Sequence, residues 1–128
     1  MLELNIQGHA DCVVNDQNTA ASVGSGNLPV FSTPYMIALM EEASQSSVAP
    51  HLEEGQSTVG TRLSVSHDSA TPLGMKVWAE SRLVEIDGRR LVFEVRAFDE
   101  CGPIGQGTHE RVIIRQQRFL EKTEAKKP

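Results

Sequence analysis

TPYMIALMEEASQSSVA, Thr33 to Ala49, is where the period of the chain changes. Met36, Leu39, Met40, Ala43 and Ser47 recur at spacings of three and four, which puts small and apolar side chains on one face of a helix. Thr33-Pro34 reads as its start, with Thr33 as N-cap and Pro34 at the first helical position, and Pro50 reads as its stop. It is the one strong helix that the spacing predicts.

On its C-terminal side the period drops to two. Thr58–His67 alternates with Val59, Thr61, Leu63 and Val65 on one face, and Met75–Asp87 with Met75, Val77, Ala79 and Leu83. Arg90–Glu100 follows with Leu91, Phe93, Val95 and Ala97, and the intervening Asp87-Gly88 is a hairpin signal. After Gly102-Pro103 a last run, Ile104–Phe119, reads as a longer strand. On the N-terminal side, Leu2–Gln7 alternates like a half-buried strand, and polar Asn15–Asn27, with Gly24 and Gly26, reads as a long loop. The order strand, loop, helix, four antiparallel strands predicts an α+β domain over 1–120, one long helix against a curved sheet. The charged residues 121–128 read as a frayed tail. Exposed sheet edges need cover, and a second copy of the chain would supply it.

Composition narrows the function. In 128 residues, 39% are hydrophobic and 23% charged, which suits one globular domain. A net charge of -5 argues against a phosphate polymer as partner, so no nucleic acid is expected. No apolar run approaches membrane-spanning length and no secretory leader is visible at the start, so no membrane partner is expected. Cys12 and Cys101 have no metal-type spacing and read as free thiols in a cytoplasmic setting. His9, His51, His67 and His109 are scattered, so neither a metal nor another cofactor is expected.

Few residues invite chemistry. His67 ends a strand beside the polar turn Asp68–Gly74, where an acid, base or hydrogen-bond donor is useful near neutral pH; a partly exposed structural histidine fits as well. Glu41 lies between the apolar and polar faces of the helix, where solvated surface is the ordinary reading. Thr33 caps the helix without needing a functional role. Gly60 inside a strand signals a bulge or a close approach of a ligand to the backbone. Alternation puts His109 and Arg111 on one face, opposite Glu110; Arg111 suits an anionic ligand group or an ion pair within the sheet.

Three pieces together carry a resemblance: Thr33 followed by Met36…Leu39-Met40-Glu41; Val59-Gly60-Thr61…Val65-Ser66-His67…Ala70-Thr71-Pro72…Gly74; and Gly107-Thr108-His109-Glu110-Arg111. From about Phe31 to Ile114 the chain resembles hotdog-fold acyl-CoA thioesterases, most of all the fluoroacetyl-CoA thioesterase type. The resemblance implies a long helix wrapped by a five-stranded antiparallel sheet, a homodimer, an acyl-CoA substrate, and hydrolysis to the free acid and CoA. It implies Thr33, Glu41 and His67 as catalytic residues, with Glu41 attacking the thioester carbonyl or activating water. It assigns Gly60 and Arg111 to substrate binding, with backbone N–H groups near Gly60 polarising the thioester oxygen.

Helix geometry adds a condition. On one straight helix, Thr33 and Glu41 stand about 12 Å apart along the axis. Either the site is completed across a dimer two-fold, or Thr33 precedes the helix. The resembled enzyme carries aromatic residues in the loop before its helix, where this chain has Gly24-Ser25-Gly26-Asn27, so a general short- or medium-chain acyl-CoA is the expected substrate. A non-catalytic acyl-CoA binder and an acyl-thioester hydratase or dehydratase are the competing readings.

Overall fold

Of the alternating runs of the C-terminal half, the last three become an antiparallel meander and the first pairs with the last. A computed structural model describes residues Met1–Pro128. Its strands are β1 (Gln7–Val13), β2 (Gln56–His67), β3 (Lys76–Asp87), β4 (Arg90–Asp99) and β5 (Gly102–Arg115). Three helices accompany them: α1 (Ala20–Val23), α2 (Thr33–Val48) and α3 (Gln116–Glu124). All five strands form one antiparallel sheet in the order β1-β3-β4-β5-β2, wrapped around α2 as expected. Strand β2 therefore has a free edge.

The core forms where the two periods meet. Met36, Leu39, Met40, Ala43 and Val48 of α2 pack on Val77, Ala79 and Leu83 of β3 and on Leu91, Phe93, Val95 and Ala97 of β4. Burying these side chains is the main stabilising term, at roughly 1.5–3 kcal/mol for each large one.

Five expectations change. The first strand is Gln7–Val13, not Leu2–Gln7: Asn5 takes a left-handed turn (φ 73°), which stops the extended run before it starts. The side chains that β1 turns inward are small because the backbone lies against α2. A methyl on Gly8 would stand 2.0 Å from the Ala43 carbonyl oxygen. The Asn15–Asn27 loop contains the one-turn α1, capped by the Thr19 side chain and ended by Gly24 at φ 78°.

The N-cap of α2 is Ser32, whose hydroxyl accepts from the Tyr35 amide at 3.2 Å; Thr33 is the first residue of the helix. In β2 a bulge between Gly60 and Arg62 reverses the alternation. Val59 and Thr61 thus face away from the helix, while Thr58, Gly60, Leu63, Val65 and His67 face the same way as Arg111 and His109. Finally, β5 ends at Arg115 and α3 replaces its expected continuation to Phe119. The residues beyond Arg115 do not alternate but pair four apart, as Gln117 does with Glu121 and Thr123 with the Phe119 carbonyl.

Candidate active site

Because Ser32 caps α2, the Thr33 hydroxyl is not used by the helix. It lies 2.7 Å from Nδ1 of His67, at the end of β2. The other ring nitrogen, Nε2, is buried with no hydrogen-bond partner. Phe31 stands edge-on to the His67 ring, with centroids 6.5 Å apart. A cavity of about 260 Å³ opens beside the pair, with Ala20, Val30, Phe31 and Ala70 among its walls.

Two turns further along α2, Glu41 reaches a second cluster. Its Oε2 accepts from Arg111 Nη1 at 3.4 Å and lies 4.0 Å from His109 Nε2. Arg111 is anchored on β2, with Nε donating to Thr58 Oγ1 at 2.8 Å and Nη2 donating to the Thr58 carbonyl at 2.9 Å. Nη1 also donates to His109 Nε2 at 3.2 Å. A guanidinium only donates, so His109 Nε2 must be unprotonated, and Nδ1–H is the nitrogen that donates to the Arg62 carbonyl at 2.9 Å. His109 is thus a neutral prop that aims Arg111 at the carboxylate. The Glu41 side chain is 42% exposed, whereas those of Arg111 and His109 are 7% and 0% exposed.

Gly60 closes this cluster. A methyl there would stand 2.6 Å from Glu41 Oε2, 3.2 Å from His109 Cε1 and 3.4 Å from Arg111 Nη1. The bare glycine lets the carboxylate lie against the strand backbone at the bulge. Of the two readings of Gly60 the bulge is seen, and the group that lies against its backbone is the Glu41 carboxylate. Of the sequence candidates, the fold brings Thr33 to His67 and brings Glu41, Gly60 and Arg111 together. It does not join the two groups in one chain, since both Thr33 and Glu41 lie on α2.

The model of the fluoroacetyl-CoA-specific thioesterase family, FlK, matches residues 14–117. The fluoroacetyl-CoA thioesterase of Streptantibioticus cattleyicolor is 42% identical over 99 residues, which is 77% of this chain and 71% of that protein. The chain belongs to the FlK family. A solved structure of the fluoroacetyl-CoA thioesterase FlK superimposes with a TM-score of 0.92 at 35% identity, covering all of this chain and 99% of that one. A thioesterase-superfamily protein of Thermus thermophilus does so with a TM-score of 0.83 at 28% identity, over 97% of both chains. The fold is the hotdog fold, and this FlK-family protein is a thioester hydrolase.

Electrostatics in the FlK-family site keep both histidines neutral. Burial pushes the His67 imidazole below the usual histidine range, against the opposing pull of Asp68. Burial does the same to His109, the Arg111 charge adds to it, and the Arg62 carbonyl and Glu41 oppose it. The pairing of Arg111 differs from the ion pair within the sheet read from the sequence. Its acidic partner comes from the helix, while the in-sheet pair is Arg90 with Glu110 at 2.9 Å. Sequence reasoning left His109 without a role and missed Thr58. For His109 the signal was available, as alternation had already placed it beside Arg111; for Thr58 only the register shows that its hydroxyl faces the guanidinium.

Proposed function

We propose that this FlK-family acyl-CoA thioesterase hydrolyses short- or medium-chain acyl-CoA, and that it does so as a homodimer whose two-fold joins Thr33 and His67 of one protomer to Glu41, Gly60 and Arg111 of its partner. The observation that carries this reading is the splitting of a complete set of groups between two places on one helix. Eight helical residues, about 12 Å, separate them, and no rotamer spans that distance. The free edge of β2 lies between the two places, and an antiparallel β2–β2 pairing would bring His67 toward the bulge of the other copy. The unpartnered His67 Nε2 supports the same arrangement, because buried polar atoms ordinarily have partners.

The Glu41 carboxylate either attacks the thioester carbonyl carbon or takes a proton from the water that does. Either way the carbonyl oxygen gains negative charge, which backbone N–H groups near Gly60 would stabilise. Collapse breaks the C–S bond, and the CoA thiolate leaves and takes up a proton. In the direct-attack route, water then opens the mixed anhydride and frees the carboxylate. Thr33 and His67 orient the reacting group through their 2.7 Å bond. Arg111, held by Thr58 and His109, aims the Glu41 carboxylate.

The loop before α2 does not select for a fluorinated acyl group. Gly24 to Asn27 is exposed and carries no aromatic, and Phe31, the nearest one, is buried beside His67. The apolar part of the wall beside the Thr33–His67 pair, Ala20, Val30, Phe31 and Ala70, suits a short acyl chain. The free thiols Cys12 and Cys101 fit a reducing, cytoplasmic setting. Thiol release measured across acetyl-, fluoroacetyl-, butyryl- and octanoyl-CoA tests the reading. Comparable turnover of acetyl- and fluoroacetyl-CoA, lost in Glu41→Ala and His67→Ala, is expected. Hydration of an enoyl-CoA without thiol release would favour a hydratase, and binding without turnover a carrier protein.

A further inference from the structure

The cavity beside Thr33 and His67 lies between two segments that meet at one residue. The run before α2 contributes Val30 and Phe31, and the turn after β2 contributes Asp68, Ser69 and Ala70. The Phe31 amide donates to the Thr71 carbonyl at 2.9 Å, and Val30 forms an antiparallel bridge with Pro72. Phe31 also turns its ring edge-on to the His67 imidazole. The Thr33–His67 contact joins residues 34 apart in the chain, and its geometry therefore depends on where Thr71 is held.

Thr71 is held by a carboxylate. Its hydroxyl donates to Asp99 Oδ2 at 2.7 Å, while the Cys101 amide donates to Asp99 Oδ1 at 2.8 Å. Asp99 is the last residue of β4, and both it and Thr71 are buried. The ion pairs of the chain do not include Asp99. A carboxylate buried without a cation is costly, so packing alone does not explain it. Of residues 69–74, only Thr71 makes a side-chain hydrogen bond. Nearer the histidine, the Asp68 and Ser69 amides donate to the Ile104 carbonyl at 2.6 and 3.3 Å. The turn is thus pinned at its start to β5 and in its middle to the end of β4.

We propose that Asp99 and Thr71 are positioning residues for thioester hydrolysis: by clamping the turn to the sheet they set how the Thr33 hydroxyl meets His67 and how Phe31 flanks it. The proposal rests on the reading of Thr33 and His67 as catalytic residues. Neither Asp99 nor Thr71 lines the cavity, so both act through the Thr71 backbone. Without the hydroxyl bond the Thr71 carbonyl can turn away from the Phe31 amide, and the two segments shift against each other. Small displacements of reacting groups are costly in rate.

The test compares Thr71→Val, which keeps the branched shape and removes the O–H, with Thr71→Ser, which keeps the O–H. With an acyl-CoA that wild type turns over, Thr71→Val should lower kcat about tenfold and leave KM within about twofold, and Thr71→Ser should recover most of the loss. The second readout is the ring-nitrogen NMR signals of His67 and His109 in the folded proteins. Those of His67 should move in Thr71→Val and return in Thr71→Ser, while those of His109, in the Glu41 cluster, stay in place. A merely structural tether would lower the melting temperature and leave kcat and the His67 signals unchanged. A folded Thr71→Val with wild-type kcat, a loss of kcat without movement at His67, or a Thr71→Ser as impaired as Thr71→Val would overturn the proposal. Should Thr71→Val not fold, Asp99→Asn carries the same two readouts. Its amide accepts at one end only, so Thr71 and Cys101 can no longer both be satisfied; wild-type kcat and His67 signals there would refute the clamp. If wild type releases no thiol from any acyl-CoA, the hydrolytic reading is what fails. The His67 signals then decide the clamp alone, with movement in Thr71→Val supporting it and none refuting it.

Discussion

Replacing Gly60 with alanine separates catalysis from folding more cleanly than removing any charged group. Gly60 is exposed on β2, and its backbone is outside the left-handed region, so an alanine there meets no conformational penalty. Such a change reduces the freedom of the unfolded chain and stabilises by about 0.4–1 kcal/mol. The new methyl, however, would sit 2.6 Å from Glu41 Oε2, where ordinary contact begins near 3.4 Å. The carboxylate is the flexible end of a half-exposed side chain, so it yields and the strand does not. It must withdraw by close to 1 Å, and a displacement of that size costs about 10²-fold in rate. Arg111 and His109, at 3.4 and 3.2 Å, have no slack to follow it. The expected result is thus a folded Gly60→Ala protein, melting at or above the wild-type temperature, with kcat/KM for acyl-CoA down about 10²-fold in a thiol-release assay. A folded variant with wild-type kcat/KM would refute the placement of Glu41 as the reacting carboxylate.

Gly107→Ala should behave in the opposite sense: its methyl would meet the Ser64 carbonyl oxygen at 2.1 Å, rigid backbone of β2, so the urea midpoint should drop by the equivalent of about 1–3 kcal/mol. Glu41→Gln keeps the shape and removes the base, and thiol release should fall about 10²–10⁴-fold with KM little changed. His109→Gln should loosen Arg111 and lower kcat more than it raises KM, while His109→Phe should do so more severely, because it offers Nη1 no acceptor. Stability should also depend on pH. His67 and His109 have folded pKa values below 6.5, so between those values and about 6.5 the unfolded chain binds more protons than the folded one. Stability therefore rises with pH through that window and is lost as pH falls from 7 toward 5. Urea midpoints across pH 5–8 should show this slope, and His109→Gln should flatten it.

How much of this was visible in the sequence follows from side-chain size. The helix and the β3–β4 hairpin were legible because large apolar residues mark their periods, Met36 to Ala43 on one and Leu91 to Ala97 on the other. Strand β1 was not, because Gly8, Ala10 and Cys12 are small and what they accommodate is the α2 backbone, not another row of large side chains. The cap of α2 was misplaced by one residue because Ser32 and Thr33 are both good N-caps, and only the three-dimensional structure shows which hydroxyl is used. That single position matters most for function. With Thr33 as cap its hydroxyl would be spent on the helix; with Ser32 as cap it is free to reach His67. Glu41 was legible only through resemblance, since a carboxylate midway between helix faces is ordinarily solvated.

The helix that organises the core also dictates how the chemistry is arranged. Glu41 and Thr33 are two turns apart on a rigid rod whose buried face is fixed by Met36, Leu39, Met40 and Ala43, so neither can slide toward the other without unpacking the core. On the proposed reading a monomer holds two incomplete half-sites, one with a hydroxyl and an imidazole, the other with a carboxylate and a guanidinium. Joining unlike halves across a two-fold yields two complete sites from one interface, because an isologous contact repeats itself. Activity should then fall with dilution below the dimer dissociation constant. The decisive experiment mixes Glu41→Gln with His67→Asn, each inactive alone. A heterodimer of the two contains one site with both lesions and one with neither, so about half the wild-type turnover per heterodimer should return. If each protomer instead carried a whole site, every site in the mixture would hold one lesion and no activity would return, which would refute the shared site while leaving the fold untouched.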